Sequence, residues 1–171
     1  QTTEGDVAVN GSISHFANME SAAYDLQLRA DEVKIGKLMK NPNLQNVSGN
    51  FHVQGKGLTP ESMDAALNGS VRSIRLNDYT YHNIPIKAQI KDQQVKANLS
   101  IVDPNIHAAA DVTMGLTGNG PLTASLVIDS IKTQPLKITP QAVIYRGNVN
   151  AHFTSIHPDS LEGEADIFHS L

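Results

Sequence analysis

The chain has 171 residues, a net charge of −4 and a pI near 5.9, so it fits one domain or two small ones and lacks a nucleic-acid-binding protein's basic footprint. It has no cysteine, which excludes a disulfide framework, thiol catalysis and cysteine-ligated zinc, and no apolar run long enough to cross a bilayer as a helix. Tryptophan is absent and aromatics make up 5%, so the apolar side chains are mostly Ala, Val, Ile and Leu.

Taken in order, the chain reads as strands almost throughout. Val7, Val9, Gly11 and Ile13 alternate with polar residues from the start. Tyr24, Leu26, Leu28 and Ala30 form the next row. The stretch VKIGKLMKNPNL places apolar residues at 35, 38 and 39, which predicts one helical turn stopped before Pro42. Phe51 and Val53 flank His52 ahead of QGKG, whose glycines predict a bulge or turn. TPESMDAAL admits a helix start at Thr59 and Pro60, but Met63, Ala65, Leu67, Gly69 and Val71 alternate and favour a strand.

The longest alternation runs from Tyr81 to Met114. Ile84, Ile86, Ala88 and Ile90 share one face. After the turn KDQQ, Val95, Ala97, Leu99 and Ile101 share the next. After DPN, Ile106, Ala108, Ala110, Val112 and Met114 share a third. Leu122 to Ile128, then Val143 and Tyr145, then Val149 to Phe153 continue the pattern. Short turns between half-buried strands predict antiparallel neighbours and an all-β fold with at most one or two helical turns. Residues 24–62 align without a gap on 122–160 at an offset of 98: Leu28 meets Leu126, Asp31 meets Asp129 and Gly49 meets Gly147. The chain begins without Met or a signal-peptide pattern, and we read all 171 residues as one β-rich segment of a longer protein.

Chemistry-bearing patterns are sparse. The seven histidines form no metal-ligand spacing, and His52, His107 and His152 fall on the polar phase of their strands. Asp78, Asp92, Asp103 and Asp159 lie in turn-like contexts. No nucleophile elbow or phosphate-binding loop occurs. The sequence therefore assigns no catalytic residue, no metal ligand and no cofactor, and the expected class is not an enzyme.

The stretch LNDYTYHNIPIKAQIKDQQVKANLSIVDPNIHAAADV resembles the repeating unit of the TamB/AsmA-like family of Gram-negative envelope proteins, in particular its Bacteroidetes-type members. The matching positions are Tyr79, Tyr81, Asn83, Ile84, Asp103 and Asn105, and the glycines at 49, 55, 57 and 69 fit the preceding strands. The likeness covers most of residues 20–115 and, more weakly, 122–167. The family's membrane anchor and terminal domain have no counterpart here, so the match is to a middle segment. The resemblance implies a periplasmic protein, anchored in the inner membrane at full length. Its long curved antiparallel sheet would form an apolar groove carrying phospholipid or other acyl chains between the membranes. It also implies a role in outer-membrane biogenesis, with an outer-membrane assembly barrel as partner of other parts of the protein. The expected groove wall is Ile84, Ile86, Ala88, Ile90, Val95, Ala97, Leu99, Ile101, Ile106, Ala108, Ala110 and Val112. Glycines at 49, 55, 57, 69, 115 and 118 are expected to supply the bends. Two such sheets face to face would instead make a β-sandwich, a structural or adhesion-type module with no lipid groove; the sequence leaves both open.

Overall fold

The computed structural model describes residues 5–38, 43–116, 121–155 and 162–170. Pro42, Gly118 and Asp159 lie outside the described residues. Alternating side chains drive ten strands: β1 (Asp6–Ser14), β2 (Ala23–Lys34), β3 (Leu44–Lys56), β4 (Asp64–Leu76), β5 (Tyr79–Lys91), β6 (Gln94–Asp103), β7 (Ile106–Gly115), β8 (Leu122–Lys132), β9 (Ile144–Ser155) and β10 (Glu162–Ser170). One helical turn, α1 (Ile35–Leu38), falls where helical spacing was expected. Thr59–Ser62 closes as a turn through Met63 N–H to Thr59 O (2.9 Å), and β4 follows as a strand.

The strands form one sheet in chain order, every neighbour antiparallel. No second layer covers either face among the described residues, which excludes the β-sandwich alternative. The sheet is a long curved meander in which β1 and β10 are the outermost strands among the described residues. Its strands have 9 to 13 residues.

The apolar face is the concave one, as three consecutive alanines in β7 demonstrate. Ala108 is 8% exposed and Ala110 is half-buried, whereas Ala109 between them is exposed. The side chains have the same size, so only the shape of the sheet and the neighbours on each side separate them. The rim that carries the β4–β5 turn curls with the sheet. Asp78 in the β4–β5 turn is held below the usual carboxylate range by hydrogen bonds from Arg75 and Gln45 and by the charge of Lys137, in the β8–β9 connection four strands away. That connection is itself tightly folded. Thr133 Oγ1 donates to Gln141 O (2.9 Å), Thr139 Oγ1 donates to Thr133 Oγ1 (2.8 Å), and Leu136 is 3% exposed.

A line of irregular pairings crosses the sheet near this rim. Register shifts lie between Ala30 and Val33, between Ser48 and Gly49, at His107/Ala108 and between Ile128 and Ile131. In β5 the positive φ of Asn83 leaves His82 and Asn83 both exposed and reverses the side-chain phase, so that Tyr81 and Ile84 both turn inward. Such bulges bend strands and tighten twist. Most of the expected glycines are not the bending points. Gly49 sits at a shift, but Gly55, Gly69 and Gly115 lie in regular ladder positions and Gly57 closes a turn at φ +72°. The residues that absorb the bend are polar and hydrogen-bonded. Glu32 N–H donates to Ser48 Oγ (2.9 Å), and Ser48 returns its proton to Glu32 Oε1 (3.2 Å). The bulge in β2 at Ala30/Val33 and that in β8 at Ile128/Ile131 stand at the same offset of 98 as the sequence alignment, so the two similar stretches also bend alike.

Candidate functional site: a continuous apolar face

Register builds the site. Three rows of inward side chains cross all ten strands without interruption. The first runs Ile13, Tyr24, Gly55, Ala65, Ile90, Val95, Met114, Leu122, Phe153, Gly163. The second runs Gly11, Leu26, Val53, Leu67, Ala88, Ala97, Val112, Ala124, Ala151, Ala165. The third runs Val9, Leu28, Phe51, Gly69, Ile86, Leu99, Ala110, Leu126, Val149, Ile167. None of the thirty holds a charge. From β5 onward the middle row is all Ala except Val112, so it lies lower than the bulkier rows on either side.

All twelve expected groove residues fall on this concave face. Ile84, Ile86, Ala88 and Ile90 of β5, Val95, Ala97, Leu99 and Ile101 of β6, and Ile106, Ala110 and Val112 of β7 are half-buried, and Ala108 is buried. They are the central third of a larger surface. Sequence reading confined the expected groove wall to the longest alternating stretch, whereas the register extends the same apolar face over β2–β4 and β8–β9. The signal for that addition was present in the odd-numbered phase of Leu67, Gly69 and Val71 and the even phase of Leu122 to Ile128.

The opposite face is polar. The row between the second and third apolar rows reads Asn10, Gln27, His52, Asn68, Lys87, Asn98, Asp111, Ser125, Asn150, Asp166. His52 Nε2 meets Asp25 Oδ1 at 2.7 Å, and Asn98 donates to Asp111. Asp31 accepts from Arg29 and Arg72, which holds its carboxyl below the usual range. Val102, Val127, Ile144 and Phe168 are exceptions, exposed on this side at 64%, 45%, 46% and 63%. Among the described residues, shallow depressions also lie on it. The largest, about 510 Å³, is ringed by Asn10, Gln27, Arg29, Asn50, His52 and Asn68. The others, about 410, 400 and 360 Å³, form between long and short polar side chains. They are dimples between neighbouring side chains, whereas the concavity of the apolar face belongs to the whole sheet.

One polar cluster lies at the inner face's rim. The regular β5–β6 ladder ends at Ile86↔Leu99, although both strands continue beyond it. β5 carries the Asn83 bulge, while β6 pairs with β7 unbroken from Gln94↔Gly115 to Asp103↔Ile106, so β5 and β6 lose step. Side chains close the resulting seam. Tyr79 Oη donates to Asp103 Oδ1 (2.5 Å), Asn105 N–H donates to the same oxygen (3.0 Å), and Asn105 Nδ2 donates to Tyr79 Oη (3.0 Å). Asp103 is 2% exposed; its Oδ2 has no hydrogen-bond partner, and His82 Nδ1 stands off at 3.7 Å. Burial and the Asp103 hydrogen bond raise the Tyr79 pKa; burial and the Asp103 charge raise that of Tyr81, whose ring meets Tyr79 edge-on at 4.8 Å. Asp103 was expected as a turn residue. It does cap its turn, but it is also the buried centre of this clasp, a role that only the juxtaposition of β5 with the β6–β7 turn creates.

Among the described residues no group of three or more His, Asp or Glu is placed to hold a metal ion, and no helix is long and apolar enough to cross a membrane. No protein-family model, curated protein or solved structure matches the chain.

Proposed function

We propose that this chain is a segment of a periplasmic bridge-like protein of the TamB/AsmA-like kind, whose concave apolar face carries lipid acyl chains between the inner and outer membranes and so serves outer-membrane biogenesis. The reading rests first on one observation: three uncharged rows run edge to edge on the concave side of a sheet that no second layer covers. An apolar face of this extent in water is unfavourable unless something apolar lies on it. Each methylene moved from water onto it contributes about 0.8 kcal/mol. A dozen give about 10 kcal/mol before the entropy of binding is subtracted. No polar recognition is needed, in keeping with uncharged rows. The function is transport without chemistry; phospholipid is the proposed cargo, and an outer-membrane barrel the proposed partner of other parts of the full protein.

The test is a photo-crosslinking amino acid at Leu99 or Ile86, against Asn98 and Lys87 on the opposite face, with the chain exposed to phospholipid vesicles. Labelling of lipid at the inward pair and not at the outward pair supports the reading; equal labelling of both faces refutes it. A second reading, a structural or adhesion-type envelope module, draws on the depressions of the polar face. It predicts that a fluorescent apolar dye is not taken up, and that variants at Asn50, His52 and Asn68, rather than at Leu99, abolish partner binding.

A further inference from the structure

The ladder breaks inside the sheet, between β5 and β6, and the cause is covalent. Asp92 and Gln93 both have left-handed φ (51° and 58°) and make a two-residue turn, so Lys91 and Gln94 exchange both backbone hydrogen bonds. In steps of two, Gln89 with Lys96 and Lys87 with Asn98 repeat the exchange. Pro85 is next, and it has no N–H to give. Asn83 then bulges, and the regular pairing stops at Ile86↔Leu99. Nearer the rim, side chains join the strands: Tyr79 Oη donates to Asp103 Oδ1, and Asn105 Nδ2 donates to Tyr79 Oη. Asp103 Oδ2 is left over. It is sealed from solvent without a hydrogen bond, which is costly for a carboxylate. His82 Nδ1 stands 3.7 Å from it, about half an ångström beyond the outer hydrogen-bond limit of about 3.2 Å.

We propose that His82 and Asp103 form a proton-operated latch across this break: the imidazolium swings onto Oδ2 and closes the seam, and the neutral imidazole releases it. The exposed ring exchanges protons freely with water, whereas the oxygen it faces is closed to water. A neutral imidazole carries no charge and offers Nδ1 as a donor in only one tautomer; the imidazolium donates from both nitrogens. The charged and titratable groups of the neighbouring elements have other partners or positions. On β4, Arg72 binds Asp31 and Arg75 binds Asp78. On β5, Tyr79 is held in the clasp and Tyr81 meets it edge-on. On β7, His107 is exposed opposite Val102, and on β8 Lys132 Nζ donates to Pro104 O (2.9 Å). His82 is the group that answers Asp103. With the latch shut, β5 and β6 are tied at this rim through both oxygens of Asp103. With it released, the Tyr79–Asp103–Asn105 clasp holds alone, and the seam is where the curvature of the sheet yields. The device stands whatever the trough carries.

Native-state hydrogen exchange on the whole chain tests the latch at about pH 5.5 and about pH 8, either side of the ordinary imidazole value of about 6.5. At the lower pH, His82→Gln is expected to raise the opening constant of segments 79–84 and 100–105 about fivefold over wild type; at the higher pH it is expected to leave that constant unchanged. Each comparison is made at one pH, which cancels the chemistry of exchange. His107→Gln removes another exposed imidazole, from β7, and is expected to show no such difference. In an Asp103→Asn background the effect of His82→Gln is expected to vanish; where that background does not fold, the His82 and His107 variants decide the matter by themselves. An equal ratio at both pH values marks a merely structural role for His82 and overturns the proposal. A pH-dependent gap as large in His107→Gln, or one that survives Asp103→Asn, also overturns it.

Discussion

Replacing Tyr79 with Phe removes one oxygen from the seam between β5 and β6, and the structure sets how much that costs. The hydroxyl donates at 2.5 Å to Asp103 Oδ1, on a carboxylate 2% exposed whose other oxygen has no hydrogen bond. A hydrogen bond to a charged group contributes about 1.5–3 kcal/mol, and the deletion leaves the buried carboxylate with only the Asn105 N–H. Asn105 Nδ2 loses its acceptor too, but Asn105 is half-buried and water replaces much of that loss. The expected cost is about 2–3 kcal/mol, or about 5–10 °C in Tm for a chain of this size. Tyr81→Phe is the control: the same ring meets Tyr79 edge-on, and its hydroxyl makes no hydrogen bond among the described residues, so its loss is expected to cost under about 0.5 kcal/mol. The Tyr79 pKa is raised on folding, so its contribution is complete below the ordinary tyrosine value of about 10 and is lost as pH climbs through the raised one. The gap between wild type and Tyr79→Phe is therefore constant at neutral pH and narrows in alkaline solution. Urea unfolding of the three proteins at pH 7 and at alkaline pH measures both effects. Equal destabilisation by the two Phe variants refutes the clasp.

Ser48→Ala leaves the Glu32 N–H at the β2 bulge without its acceptor and is expected to cost about 1–2 kcal/mol in chemical denaturation. Gly69→Ala places a Cβ 2.5 Å from the Phe51 ring and 2.6 Å from Asn50 O, so a loss of about 1–3 kcal/mol is expected; replacing Phe51 as well relieves only the ring contact. Asp31, its pKa lowered by hydrogen bonds from Arg29 and Arg72, contributes stability above the ordinary carboxylate range, lost as pH falls through its lowered pKa. Asp31→Asn is therefore expected to flatten that part of an acid titration of Tm, and added salt to shrink the difference. Ala97→Asp, on the floor of the trough, is expected to abolish apolar dye uptake with little change in Tm, because the site is open on the concave side; unchanged uptake contradicts the assignment of that face.

The strands, their order and their inward faces were legible in the sequence, because a period of two on thin aliphatic residues admits little else and short polar turns force consecutive strands to pair. The twelve groove positions fell on one face for that reason. α1 was visible in the spacing of Ile35 and Leu38, and the bulges at Ala30/Val33 and Ile128/Ile131 sit within the repeated stretch although neither announces itself. Tertiary structure decided three further matters. It chose one open layer over two packed ones, since an apolar strand face has the same pattern whether it meets another sheet or a hydrocarbon chain. It put the bends at Glu32, at Asn83 and between Ile128 and Ile131 rather than at most of the glycines, because a bulge needs a local partner for its freed backbone groups, and Ser48 supplies one to Glu32 from a neighbouring strand. It made Asp103 a buried clasp, since a carboxylate in a turn is solvated unless a bulge elsewhere carries a tyrosine to it. Alternation is local and survives in one dimension; curvature and burial depend on which strands lose step with their neighbours, and that is settled only when all ten are in register.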